Sequence, residues 1–217
     1  MDINLNNNSQ TPHIVAITGA GISTASGLPT LSAQFHHRPL HELFQMSQAM
    51  HHRDEYHRLY RALMAQWLTV KPNAAHHALA RYDVRIITQN IDGLHESAGS
   101  QQVLSLHGSL TIATCLSCHT KIHINTPPIS PTLRCGICGD VMWPDLVLEG
   151  QNVRHFAQAV NWVSTCDILL IIGTRLKMYP VNQLPFVAKA TDAMIYSVEE
   201  NAEKTLPALL QAITSPA

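Results

Sequence analysis

Charge is scarce in this 217-residue sequence: Asp, Glu, Lys and Arg make up 13% of it, with 15 acidic residues against 14 basic ones. Without a basic surplus there is no electrostatic footprint for nucleic acid or for an anionic membrane surface, and neither is expected as a partner. Long apolar runs are missing too; the longest, Ile168–Ile172, is far too short to cross a bilayer. No segment combines a charged start, an apolar middle and a small-residue cleavage site, so no secretory leader is expected. There is no internal repeat, and the only biased tract is an Asn-rich stretch over residues 1–12 that reads as a loose tail. Cysteine is limited to five residues, four of them in C-x-x-C pairs, which suits a reducing cytoplasm. The length fits one large domain, or one domain carrying a small module, and can bury a core without cross-links. Histidine is abundant, and 14 of them make the net charge sensitive to mild acid.

Residues 13–17 form a short apolar run, long enough for a buried parallel strand and too short for a helix. It leads into Gly19-Ala20-Gly21 and then into small residues able to open a helix. Glycine permits a sharp turn and the close approach of a phosphate, and helix N-terminal amides complement negative charge. The third glycine of G-x-G-x-x-G is absent, since Thr24 occupies its place and Gly27 comes three residues later. On spacing alone, the loop is equally a nucleotide site or a simple turn. The stretch resembles the opening motif of the sirtuins, NAD-dependent protein deacylases, which reads G-A-G-I-S-x-x-S-G-I-P-D-F-R. Gly19, Ala20, Gly21, Ile22, Ser23, Ser26, Gly27 and Pro29 match, whereas Thr30-Leu31-Ser32 replaces D-F-R.

Farther along, Tyr56, Tyr60, Leu63 and Trp67 recur at three- and four-residue intervals, which predicts one buried face of a helix that ends before Pro72. Pro72 suits the first turn of a second helix. Short β-branched runs are expected as strands over residues 84–88, 103–106, 145–148, 168–172 and 193–198. Strands alternating with helices argue for an α/β domain with a doubly wound, Rossmann-like parallel sheet. The expected organisation is a tail over 1–12 and one domain over 13–217. Its core would take residues 13–33, 72–112 and 142–217, with a short helical insertion over 34–71 and a small zinc-binding module over 113–141.

Cys115-x-x-Cys118 and Cys135-x-x-Cys138 have the spacing of two zinc knuckles. Four thiolates close a tetrahedral zinc site and leave no position for water, so the metal would be structural. His119 and His123 are then expected as surface residues, and Cys166, before an apolar strand, as buried core. The pairs His36-His37, His51-His52 and His76-His77 lack the i, i+4 spacing of zinc enzymes and are read as solvated.

Two polar clusters end the strands over residues 84–88 and 103–106, where an open parallel sheet offers a ligand its carboxyl edge. One is Gln89-Asn90-Ile91-Asp92-Gly93-Leu94-His95, the other His107-Gly108-Ser109. Taken alone, Asn90-x-Asp92-Gly93 is a good turn and His107 an ordinary histidine. Both segments, with Pro72-Asn73-x-Ala75-His76, are similar to sirtuin segments in the family's order. Weaker likeness continues in Pro144-Asp145-Leu146-Val147-Leu148-Glu149-Gly150-Gln151, where Glu149 and Gln151 replace Phe and Glu. In Gly173-Thr174-Arg175-Leu176, Arg175 replaces serine. The likeness covers residues 13–198, and the chain reads as a short, divergent member.

The resemblance implies NAD as co-substrate, bound at Gly19, Ala20, Gly21, Ile22, Ser23, Gln89, Asn90, Asp92, Gly173 and Thr174. It implies His107, Asn90 and Asp92 as catalytic residues, His107 as the general base that takes a ribose hydroxyl proton. It implies an acyl-lysine peptide, paired by strand addition near Val147 and Gly150. The implied activity is deacylation: transfer of the acyl group to ADP-ribose with release of nicotinamide. Loss of D-F-R, with Arg38 as a distant substitute, keeps two alternatives open. One is ADP-ribosyl transfer or NAD hydrolysis; the other is a non-catalytic NAD- or ADP-ribose-binding module.

Overall fold

The computed structural model describes residues 12–124 and 133–215. The expected tail falls almost wholly outside them, as does part of the expected zinc module.

Strands β1 (Ile14–Thr18), β4 (Arg85–Thr88), β5 (Val103–Ser105), β9 (Ile168–Ile172) and β10 (Met194–Val198) form one parallel sheet in the order β10-β9-β1-β4-β5. All five β1 residues are buried, as a central strand covered on both faces requires. Alternation assigns its side chains. Ile14 and Ala16 face a core with Leu79 of α3 (Ala74–Arg81) and Leu206 and Leu210 of α7 (Ala202–Thr214). Val15 and Ile17 face the opposite core, with Val163 of α5 (Phe156–Ser164) and Leu184 of α6 (Leu184–Ala190). Helices on both faces make the sheet doubly wound, as expected. The short α4 (Leu94–Ser97) comes after β4.

The helical insertion and the metal module share a third core. The insertion holds a hairpin, β2 (Gln34–Phe35) and β3 (Arg38–Pro39), a 3-10 helix over Leu40–Phe44, α1 (Met46–His51) and α2 (Arg53–Trp67). The metal module is an antiparallel sheet in the order β7 (Lys121–His123), β6 (Gly108–Cys115), β8 (Met142–Leu146). Tyr60, Leu63, Met64 and Trp67 of α2 pack with Leu110, Ala113, Cys115 and Met142. Leu63 and Met64 are fully enclosed, each stabilising the lobe by about 1.5–3 kcal/mol through burial.

Three expectations change. The strand placed at 145–148 is β8, which pairs antiparallel with β6 and not in the parallel sheet. The three-stranded sheet therefore extends past residues 113–141 on both sides, beginning at Gly108 directly after His107. Pro72 does not open α3: Asn73 does, its Oδ1 accepting from Ala75 N at 2.9 Å while His76 Nδ1 accepts from Asn73 N. Finally, the residues after Gly19 form a 3-10 helix, Ala20–Ser26.

Candidate active site

The loops after β1, β4, β5 and β9 meet at the carboxyl edge of the sheet. Glycine is required there by chain-to-chain packing. A Cβ on Gly21 would lie 2.7 Å from Gly173 Cα, and one on Gly19 2.6 Å from Thr174 Cβ. Gly21 N donates to Gly173 O at 2.9 Å and Gly19 N to Ile172 O at 3.0 Å. These two amides are thus engaged by Ile172 and Gly173 at the end of β9. Gly173 adopts φ +62 against the backbone of Ile22, which also excludes a side chain.

Ser23 is 1% exposed and organises the centre of the site. Its hydroxyl donates to Asp92 Oδ2 at 2.7 Å, accepts from Asn90 Nδ2 at 3.2 Å and lies 3.5 Å from His76 Nε2. Asn90 Nδ2 also reaches Gly19 O at 3.2 Å, and Asp92 Oδ1 accepts from Leu94 N at the start of α4. Burial pushes the Asp92 carboxyl above its usual range, and the bonds from Leu94 and Ser23 pull it back. Gln89 Nε2 donates to Thr174 Oγ1 at 3.1 Å, tying the β4 loop to the β9 loop across β1.

His107 is half-buried, with Nδ1 2.8 Å from Gln89 O. A carbonyl only accepts, so Nδ1 carries the proton and the neutral ring keeps its lone pair on Nε2. Backbone contacts with β8 and Val147 hold this imidazole in place. Gly108 has φ +83, and a Cβ there would overlap Asp145 O; His107 O accepts from Val147 N at 2.9 Å. Asp145 in turn is locked by Arg154 at 2.5 Å, with Thr114 and Lys121 beside it.

Two buried histidines join this network: His76, expected as solvated, and His95, the last residue of the polar cluster after β4. His76 and His95 are buried with ring centres 4.9 Å apart, His95 Nε2 lying 2.9 Å from Thr18 Oγ1. Burial lowers His76 to about 4, with His77 contributing. Burial, with His76 contributing, lowers His95 to about 3. Thr18 Oγ1 donates to Thr88 Oγ1, which accepts from Asn90 N at 3.0 Å. Thr18 escapes sequence reasoning, and Asn73 and Thr88 enter it only as parts of longer segments, with no role of their own. Four separate segments supply these polar groups, and the available signal is only that polar residues close apolar strands.

Val147 and Gly150 follow β8, Val147 half-buried and Gly150 exposed. Glu149 N donates to Phe44 O of the insertion at 2.7 Å, and Leu148 N to Gln151 Oε1 at 2.8 Å. Thr30, Leu31 and Ser32 are exposed, the two hydroxyls 3.1 Å apart. Arg38 does not replace the missing arginine: it pairs with Glu55 at 3.1 Å, within the insertion.

The four cysteine sulfurs of Cys115, Cys118, Cys135 and Cys138 lie within 4.8 Å of one another. Closest pairs are 3.4 and 3.5 Å, too long for disulfides and near the spacing that Zn–S bonds of about 2.3 Å impose on a tetrahedron. His119 and His123 are exposed and outside the cluster, and Cys166 is buried, as expected.

Residues 19–180 match the model of the Sir2 family. NAD-dependent protein deacetylase 1 of Pyrobaculum aerophilum is 35% identical over 226 residues, covering 92% of this chain and 89% of that protein. NAD-dependent protein deacylase 1 of Archaeoglobus fulgidus is 31% identical, covering 91% of this chain and 84% of that protein. A crystal structure of a Sir2 homologue with NAD superposes with TM-score 0.86 at 28% identity, covering 94% of this chain and 90% of the other. Sir2 bound to an acetylated peptide gives 0.78 at 25% identity, covering 92% of each chain.

Proposed function

The chain belongs to the Sir2 family and is an NAD-dependent protein deacylase, and we propose that His107 is its general base, with Asn90 and Asp92 the groups that hold the reacting ribose and the carboxamide. The observation that carries this reading is the His107–Gln89 hydrogen bond, which fixes a proton on Nδ1 and makes Nε2 the nitrogen that accepts in the neutral ring. The edge fits a dinucleotide. It is bare of side chains at Gly19, Gly21 and Gly173, and it carries the half-buried polar groups of Gln89, Asn90 and Thr174 on either side. When bound, NAD supplies an electrophilic anomeric carbon with nicotinamide as leaving group, and the acyl-lysine oxygen is the nucleophile. Asn90 and Asp92, fixed through Ser23, orient the ribose; His107 takes the hydroxyl proton at Nε2, so that the sugar oxygen captures the acyl group. The imidazolium then shares its Nδ1 proton with Gln89 O.

Ala20 and Ile22 would line the same cofactor channel, with Gly19, Gly21, Ser23, Gly173 and Thr174. The acyl-lysine peptide pairs along Val147–Gly150. Val147 N and Glu149 N already serve His107 O and Phe44 O, whereas Leu148 N is held only by the Gln151 side chain, which a peptide carbonyl can replace. One zinc ion on the four cysteines holds the β6–β8 lobe and takes no part in chemistry. Among the described residues no helix is long and apolar enough to cross a membrane. The free thiols favour a reducing cytoplasm.

The test is nicotinamide release from NAD by the zinc-loaded protein, with and without acyl-lysine peptides, alongside His107→Ala. Release that needs the peptide, forms acyl-ADP-ribose and is lost in the variant is expected. Peptide-independent release would move the reading to ADP-ribosyl transfer or hydrolysis.

A further inference from the structure

The segment after β8 leaves the three-stranded lobe and returns to the parallel sheet. Leu148 packs against the core shared by the insertion and the metal module, and Val153 against the core that holds α5 and α6. Residues 149–152 between them are exposed. Two backbone bonds fix the ends of this loop on successive carbonyls at the proposed base. Val147 N donates to His107 O and Arg154 N to Leu106 O, each at 2.9 Å.

Side chains close the same neck. Arg154 grips Asp145 with both arms of its guanidinium, Nη1 on Oδ2 at 2.5 Å and Nη2 on Oδ1 at 3.1 Å. Asp145 is itself anchored in the small lobe: Thr114 of β6 donates to Oδ1 at 2.9 Å, and Lys121 of β7 reaches both oxygens at 3.3 Å. Its side chain is 8% exposed and that of Arg154 32%. Burial alone would raise the Asp145 carboxyl; the bonds from Arg154 and Thr114 outweigh it and hold the group below its ordinary range, so the pair is ionic. A two-pronged, largely enclosed pair fixes distance and angle together, which a solvated surface pair does not. Arg154 stands two residues before α5, so the pair ties the entry to that helix to β8 across the neck of the loop.

We propose that Arg154 and Asp145 are positioning residues for acyl transfer: their ion pair holds the 147–153 loop closed on the acyl-lysine peptide and keeps Leu106 and His107 in register with it. This rests on the reading of residues 147–150 as the peptide strand and of His107 as the base. Gly19, Gly21, Ser23 and Thr174 belong to the loops after β1 and β9, so the pair acts on the peptide side and leaves nucleotide affinity alone.

The test combines steady-state turnover of an acetyl-lysine peptide, calorimetric titration of ADP-ribose and thermal melting, all on the zinc-loaded protein. Arg154→Met should raise the peptide KM about tenfold and lower kcat, with ADP-ribose affinity within about threefold of wild type. Thr114 and Lys121 still hold the carboxylate in this variant, so it should fold. Loss of folded protein alone would lower kcat at an unchanged KM. Arg154→Lys keeps the charge without the fork; it should recover Tm yet leave KM raised roughly fivefold, and it decides the matter even if Arg154→Met does not fold. A peptide KM within about threefold of wild type in either folded variant, or an ADP-ribose affinity that falls in step with KM, would overturn the proposal. Nicotinamide release by wild type that needs no peptide would overturn the reading beneath it as well.

Discussion

Replacing Ser23 by Ala removes one oxygen from a fully enclosed position and strands two partners. The Asp92 carboxylate loses its 2.7 Å donor and the Asn90 amide loses one acceptor. A hydrogen bond to a charged group contributes about 1.5–3 kcal/mol, and a buried group left unpaired costs a similar amount. Applied to the reacting ribose site, that range lowers kcat/KM roughly ten- to a hundredfold. Applied to stability, it lowers Tm by about 3–12 °C for a chain of this size. Proton linkage makes the effect diagnostic. Burial raises the Asp92 carboxyl and the Ser23 bond opposes that rise, so Ser23→Ala lifts it further. The acid limb of the kcat/KM profile should move to higher pH. A raised carboxyl also means that folding stability falls as pH climbs from the ordinary carboxylate range through the folded value, and the variant's fall should be the larger one. The assay is peptide-dependent nicotinamide release from pH 5 to 9, with Asp92→Asn and the double variant completing a cycle. A kcat/KM within threefold of wild type and an unmoved acid limb would refute the view that Ser23 holds the site together.

The buried imidazoles and the metal module give two further outcomes. His76 and His95 are held neutral, with folded values of about 4 and 3. The unfolded chain takes up protons near pH 6.5 while the folded protein does not, so stability should drop below pH 6.5, by about 1.4 kcal/mol per pH unit for each imidazole. Melting followed from pH 7 to 5 should show this slope, and His95→Gln should flatten it. Stripping zinc with a thiol reagent and chelator should release one ion per chain and unfold the β6–β8 sheet. Because β6 begins at Gly108, beside His107, activity should disappear with the metal, and circular dichroism on the same sample should show the loss of strand signal.

Signals with a period or a fixed spacing are legible in the sequence. The buried face of α2, the parallel strands and the two cysteine pairs all announce themselves through local pattern, and each lies where that pattern puts it. The strand at β8 is visible as a strand, but its partner is not, because a run of apolar residues says nothing about which sheet receives it. The wiring of the polar network escapes detection for a related reason. Thr18, Ser23, Asn73, His76, Thr88 and His95 are meaningful only through one another, across separations of up to 77 residues. His76 next to His77 looks solvated, yet the fold exposes only His77, and His76 turns inward onto Ser23 and the His95 ring. The two glycines after β1 do mark places where something comes close: the Thr174 side chain against Gly19 and the Gly173 backbone against Gly21.

The strand order also dictates when this enzyme can be assembled during synthesis. Ser23, Asn90, Asp92 and His107 all precede the first C-x-x-C pair, so they are made while β1 has only β4 on one side. Its other edge stays open until β9 is made, bringing Gly173 to close on Gly21. Until that moment the nascent chain carries the proposed site residues beside an unpaired apolar strand, the kind of edge that recruits the wrong neighbour. The residues proposed for catalysis are made early, and the strand that makes them safe is made late.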